Sequence, residues 1–196
     1  MEKIEQLSGN ESLKLIETMI QRAKTRATGD GTYFLLWGYL VFTAALIHLA
    51  GIRMGHEEAG GFAWGILMGF GGVYSAWKAY SEERRQKSSS YIDFFMKYLW
   101  IAFGAAIGLI LLICLMKAPA VTYPMILVLY GIGTFVSGGA LEFKPLIWGG
   151  IFCWILALVA AMVSFENQLI VLAVAVVGSY IIPGHLLQNL LNREKI

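Results

Sequence analysis

The chain has 196 residues, of which 58% are hydrophobic and only 14% charged. Soluble domains are about 45–50% apolar and about 25% charged, so this chain has too little polar surface to cover a core in water. Its net charge of +2 gives no basis for binding nucleic acid.

The few charges are clumped. Between them lie charge-free runs at 31–52, 59–77, 98–116, 118–141, 145–165 and 167–192. A helix needs about 20 apolar residues to cross a hydrocarbon core about 30 Å thick. Each run meets that requirement within its usual range. Membrane-barrel strands alternate apolar and polar residues. Runs such as Leu109-Ile110-Leu111-Leu112-Ile113 and Ile170-Val171-Leu172-Ala173-Val174 are apolar all round, so they read as helices. The expected fold is all-α: a polytopic membrane protein with six transmembrane helices, preceded by an amphipathic N-terminal helix. Residues 1–30 form the N-terminal segment, 31–190 the transmembrane domain and 191–196 a short tail.

In chain order, residues 8–27 read as the amphipathic helix. Ser8 and Glu11 make a capping box, and Leu13, Ile16, Ile20, Ala23 and Ala27 recur at helical spacing. With Arg22, Lys24 and Arg26 near the membrane, this helix is expected in the headgroup region or on the cytoplasmic loops. It lacks the apolar core of a signal peptide, so the first span is expected to direct insertion. The spans are 32–52, 60–80, 96–117, 121–142, 145–165 and 167–188. Ser88-Ser89-Ser90 is a turn, and Tyr91–Lys97 leads helically into span three. Pro124 and Pro145 fall in first turns, where a missing amide costs nothing. Pro183 lies inside span six and predicts a kink. With both termini cytoplasmic, thirteen basic residues lie inside and only Arg53 and Lys117 outside, a strong positive-inside bias.

An internal echo runs through the spans. Odd spans carry Leu36-Trp37, Leu99-Trp100 and Ile147-Trp148. Even spans carry Gly72-Val73-Tyr74, Gly133-Thr134-Phe135 and Gly178-Ser179-Tyr180. One reading is three tandem helical hairpins. The other is interfacial tryptophans and chance glycine triplets in a glycine-rich membrane protein.

Small-residue stripes mark candidate packing faces. Gly61, Gly65, Gly69 and Gly72 line span two, Gly104 and Gly108 span three, and Gly133 falls within span four. Packing within the chain is the plainer reading. A sliding or dimerising face, which would make a homo-oligomer, is the other. The most unusual stretch is Tyr130-Gly131-Ile132-Gly133-Thr134-Phe135-Val136-Ser137-Gly138-Gly139. A polar, glycine-weakened patch in lipid can line a path or a ligand site. It can also pack tightly, with its hydroxyls bonded back to the helix. Tyr74, Ser75, Tyr130, Thr134, Ser137, Ser179, Tyr180 and His185 fall at similar depth and form the candidate ligand-binding set.

No charged side chain is expected at mid-span, which argues against a proton-coupled pump or a voltage sensor. His48, His56 and His185 are spread over both faces, so neither a metal site nor a catalytic centre is expected. No cofactor motif is present. Cys114 and Cys153 stand roughly 24 Å and 10 Å from the cytoplasmic ends of their helices, too far apart for a disulfide.

The stretch Ser12–Val41, with Leu13-x-x-Ile16 and Phe34-Leu35-Leu36-Trp37-Gly38, resembles a family of uncharacterised bacterial inner-membrane proteins. So do Gly131 to Gly138, Phe143-Lys144-Pro145-Leu146 and Gly149-Gly150. The resemblance covers about half of the chain. It implies location and a six-span topology, with no activity and no functional residue to carry over. Two functional readings stand. The leading one is a non-enzymatic bundle, among membrane lipids, that binds or passes a small or lipidic ligand. In that case Tyr74, Thr134, Ser137, Ser179 and Tyr180 should line a cavity. The alternative is a membrane-anchored signalling or scaffold protein that docks a cytoplasmic partner through the N-terminal helix and Lys78–Lys97.

Overall fold

The computed structural model describes Leu13 and residues 31–85 and 91–193, and all regular structure among them is helical. Apart from Leu13, the helix expected over 8–27 lies outside the described residues, as do the Ser88–Ser90 turn and the last three residues. The helices are α1 (Thr32–Arg53), α2 (Glu57–Arg85), α3 (Tyr91–Lys117), α4 (Thr122–Ala140), α5 (Lys144–Met162), α6 (Phe165–Val176) and α7 (Ile182–Arg193). A π turn, Val177–Ile181, joins α6 to α7.

Among the described residues, five segments are long and apolar enough to cross a membrane: Thr32–Arg53, Tyr91–Cys114, Pro119–Ala140, Lys144–Met162 and the continuous Phe165–Leu190. The chain is therefore an integral membrane protein. Helix α2 is the longest at 29 residues but is not among the five. Gly60, Gly61, Gly65, Gly69, Gly71, Gly72, Trp64 and Trp77 dilute its apolar side chains.

Short turns dictate the antiparallel order. Between α1 and α2 the amide of His56 donates to the Gly51 carbonyl at 2.8 Å and that of Gly55 to Ile52 at 3.2 Å. This C-cap needs a left-handed residue, and Gly55 supplies it with φ 75°. Between α4 and α5 the same pattern recurs: Phe143 donates to Gly138 at 2.8 Å and Glu142 to Gly139 at 3.2 Å. Here Glu142 itself takes φ 52°, a conformation that disfavours a Cβ.

Helices α1, α4, α5 and α6 make the centre, with Val41, Leu127, Leu146, Leu169, Leu172 and Val176 fully buried. The most extensive interface joins α4 to α5. Its close approach rests on glycine. A Cβ on Gly150 would stand 2.7 Å from Phe135 Cβ, and one on Gly138 would stand 2.6 Å from the Ile147 amide nitrogen. Helix α3 packs on α4, and α2 lies along α1. That second pairing runs the length of α1. Gly60 abuts the His48 ring near one end and Gly71 faces Leu40 and Trp37 midway. At the other end Lys78 Nζ sits 4.8 Å over the Tyr33 ring, and the Tyr33 hydroxyl donates to Glu82 at 3.2 Å.

The kink expected at Pro183 takes a different form. Proline offers no amide to the Ser179 carbonyl. The distortion falls just before it, where the Ile182 amide reaches back five residues to the Val177 carbonyl. A π turn widens the helix, and the neighbours make room by lacking side chains. A Cβ on Gly149 would stand 2.9 Å from Ser179 Cα, and one on Gly38 would stand 2.9 Å from Ile181 Cγ1. The Trp37-Gly38 and Trp148-Gly149 pairs of the sequence echo thus each deliver a glycine to this turn. Their tryptophans are not equivalent: Trp37 packs on Gly71, whereas Trp148 is 68% exposed.

Candidate functional site

The polar set predicted from the sequence divides by environment. Thr134, Ser137 and Ser179 are fully buried, and Tyr130 and Tyr180 nearly so. Two of these hydroxyls bond back to their own helices. Thr134 Oγ1 donates to the Tyr130 carbonyl at 2.6 Å, and Ser179 Oγ donates to Ala175 at 2.6 Å. The Cys153 thiol donates to Ser179 Oγ at 3.3 Å. This back-bonding satisfies a hydroxyl in lipid without a partner from another helix. Ser137 Oγ and the Tyr180 hydroxyl are buried with no hydrogen-bond partner among the described residues, as is Ser75 Oγ.

Aromatic rings close around this patch. Phe34 meets Trp100 at 6.0 Å, Trp100 meets Phe103 at 5.0 Å and Phe103 stacks on Tyr130 at 5.6 Å. Tyr130 then meets Tyr180 at 5.3 Å, which returns to Phe34 at 5.9 Å. The circuit ties α1, α3, α4 and the π turn together. Such ring contacts lie within the favourable 4.5–7 Å range and stabilise a core beyond the area they bury.

The remaining candidates stand elsewhere. Tyr74 is half-buried on α2 and stacks on Phe70 of the same helix at 6.2 Å. Ser75 is half-buried beside it. His185 is exposed on α7, with Nε2 2.9 Å from the Tyr39 hydroxyl. The structure therefore brings Tyr130, Thr134, Ser137, Ser179 and Tyr180 into one packed region and leaves Tyr74, Ser75 and His185 outside it.

The glycine stripes need correction as packing faces within the chain. Among the described residues, a Cβ on Gly61, Gly65, Gly69, Gly72, Gly104 or Gly108 would meet nothing within 4 Å. Of the predicted set only Gly133 packs: its Cβ would lie 3.1 Å from the Phe103 ring. Glycines that do meet a neighbouring helix closely include Gly38, Gly60, Gly71, Gly131, Gly138, Gly149, Gly150, Gly178 and Gly184. Spacing alone could not find them, because a four-residue repeat does not say which flank of a helix meets a neighbour.

The sequence reading also missed an open groove. Between α1 and α6 lies an apolar groove of about 420 Å³, lined by Phe42, Leu46, Leu49, Ile170, Ala173, Val174 and Val177. The groove is open rather than enclosed: Leu46, Ile170 and Val174 of its lining are exposed. The recoverable signal was periodic. Phe42, Leu46, Leu49 and Arg53 recur at i, i+4, i+7 and i+11 on α1. Glu166, Ile170, Ala173 and Val177 recur at the same intervals through α6 into the π turn. Each face ends in a charge, and the two charges meet: Arg53 Nε donates to Glu166 Oε1 at 2.7 Å.

A second cluster lies near that end of the bundle. His48 Nδ1 stands 2.9 Å from the Tyr123 hydroxyl and accepts from Trp64 Nε1 at 3.1 Å. Gln168 donates to the Ala120 carbonyl at 2.8 Å. These bonds join α2, α4 and α6 to α1 and to the Pro119–Val121 turn, so they fasten the Arg53 end. Among the described residues no group of three His, Cys, Asp or Glu side chains could hold a metal ion. Comparison with protein-family models, curated proteins and solved structures gives no match for this chain.

Proposed function

We propose that this is a six-pass protein of the bacterial inner membrane, with both termini cytoplasmic, that holds a lipid acyl chain in the groove between α1 and α6. The sixth crossing is α2. It runs beside α1 from His48 to Tyr33, so whatever depth α1 spans, α2 shares. The basic residues at the Thr32 end support the cytoplasmic placement.

The observation that carries the ligand reading is the contrast between the buried polar patch and the open apolar groove. The polar patch of α4 and the π turn is packed, with Thr134 and Ser179 bonded into their own helices. The Ser137 and Tyr180 hydroxyls have no partner among the described residues, but both residues are buried. The groove is walled only by apolar side chains, and in a bilayer a lipid tail is the apolar ligand at hand.

The test uses the full chain reconstituted in vesicles with a phospholipid carrying a diazirine midway along one acyl chain. After irradiation, digestion and mass spectrometry, labels should concentrate on residues 42–49 and 170–177. Ala173→Trp, which fills the groove floor, should remove that concentration. Equal labelling of the groove and of the exposed faces of α2 and α3 would overturn the reading.

A further inference from the structure

The groove has a charged rim that the acyl-chain reading does not use. We infer that its occupant is a zwitterionic phospholipid, whose phosphate bonds Arg53 and whose primary ammonium bonds Glu166. This inference rests on the groove being the site of an acyl chain.

The argument begins with register. Arg53 lies four residues beyond Leu49, and Glu166 four residues before Ile170. Each is one helical turn, roughly 6 Å, past the apolar lining. Both helices bring a charge to the same end of the groove, where the described basic residues are only Arg53 and Lys117. A lipid with its tail between Phe42 and Val177 must place its headgroup at this rim.

The chemistry follows from how the pair is bonded. The contact uses Arg53 Nε and one oxygen of Glu166. A guanidinium carries five N–H donors, so its two terminal nitrogens retain four for a phosphate, which arginine binds in a two-pronged manner. Glu166 retains Oε2 as an acceptor. Arg53 is 60% exposed and Glu166 39% exposed, so a headgroup can reach both. The rim thus presents one cation and one anion side by side. An anionic headgroup would meet Glu166 as a like charge. A zwitterion satisfies both groups without separating them. A primary ammonium has N–H donors for the carboxylate, whereas a trimethylammonium has none. The rim should therefore select ethanolamine-type over choline-type and glycerol-type headgroups.

The experiment is native mass spectrometry of the full chain released from vesicles holding equal amounts of phosphatidylethanolamine, phosphatidylcholine and phosphatidylglycerol with identical chains. The wild type should retain phosphatidylethanolamine several-fold over the other two. Arg53→Gln should lower retention of all three roughly fivefold, the equivalent of about 1 kcal/mol for an exposed charged contact. Glu166→Gln should abolish the preference for phosphatidylethanolamine over phosphatidylglycerol. An exposed ion pair adds little to stability, so both variants should fold, and an unchanged melting temperature checks this. Ala173→Trp separates the two readings. If it leaves lipid retention intact, the groove itself is not the site. If it abolishes retention while Arg53→Gln and Glu166→Gln leave the headgroup ratios unchanged, only the headgroup inference falls.

Discussion

Replacing Gly150 by alanine tests whether the α4–α5 contact organises this bundle. The new Cβ would stand 2.7 Å from Phe135 Cβ and 2.8 Å from both the Phe135 nitrogen and the Gly131 carbonyl oxygen. Ordinary contact begins near 3.4 Å, so the shortfall is about 0.7 Å. Two of the three obstacles are backbone atoms of α4, which no rotamer change can move. The helices must part, and a gap of 0.5–1 Å forfeits about a quarter to a half of each contact's dispersion energy. Overpacking of this kind costs about 3 kcal/mol at the upper end of its usual range. Alanine returns about 1 kcal/mol through its better helix propensity, leaving a net loss of about 2 kcal/mol. Gly65→Ala is the matched control, because its Cβ would enter open space, and it should be neutral or slightly stabilising. Thermal unfolding of both variants in one detergent, followed by circular dichroism, reads the difference. The reasoning is refuted if Gly150→Ala melts with the wild type. Equal damage from Gly65→Ala would show instead that the outer flank of α2 is covered, as by a second copy of the chain.

Tyr180→Phe should stabilise the protein by about 1 kcal/mol, since it removes a buried hydroxyl that has no partner among the described residues and keeps the ring between Phe34 and Tyr130; a raised melting temperature checks it. Ser179→Ala should cost about 1 kcal/mol, because it deletes the bond to the Ala175 carbonyl and leaves the Cys153 thiol without its acceptor; the same unfolding assay reads it. Gly60→Ala should displace the His48 ring and break its contacts with Tyr123 and Trp64. Faster amide exchange at the Arg53 end of α2, with little change near Glu82, is the expected signature.

Much of the fold was legible in the chain. Charge-free runs located the helices because a backbone in hydrocarbon must bond to itself, and Pro145 marked a helix start for want of an amide. The candidate site was less legible. Thr134, Ser137, Ser179 and Tyr180 were identified as polar residues at one depth, but the sequence left open whether they lined a space or filled one. That outcome depended on the π turn. Pro183 announced a break, yet where it fell and what it displaced depended on Gly38 and Gly149, which reach it from two other helices.

What the sequence determined by itself is the solvent: with 14% charged residues gathered between long apolar runs, the chain must lie in lipid as helices. Which flank of each helix meets another, and where two helices stand apart, was decided by the tertiary structure alone. Lipid tails are as apolar as leucine, so in a membrane greasiness no longer separates inside from outside. Shape and bonding between particular helices make that distinction, and the fit of backbone against glycine closes α4 on α5 while a groove remains between α1 and α6.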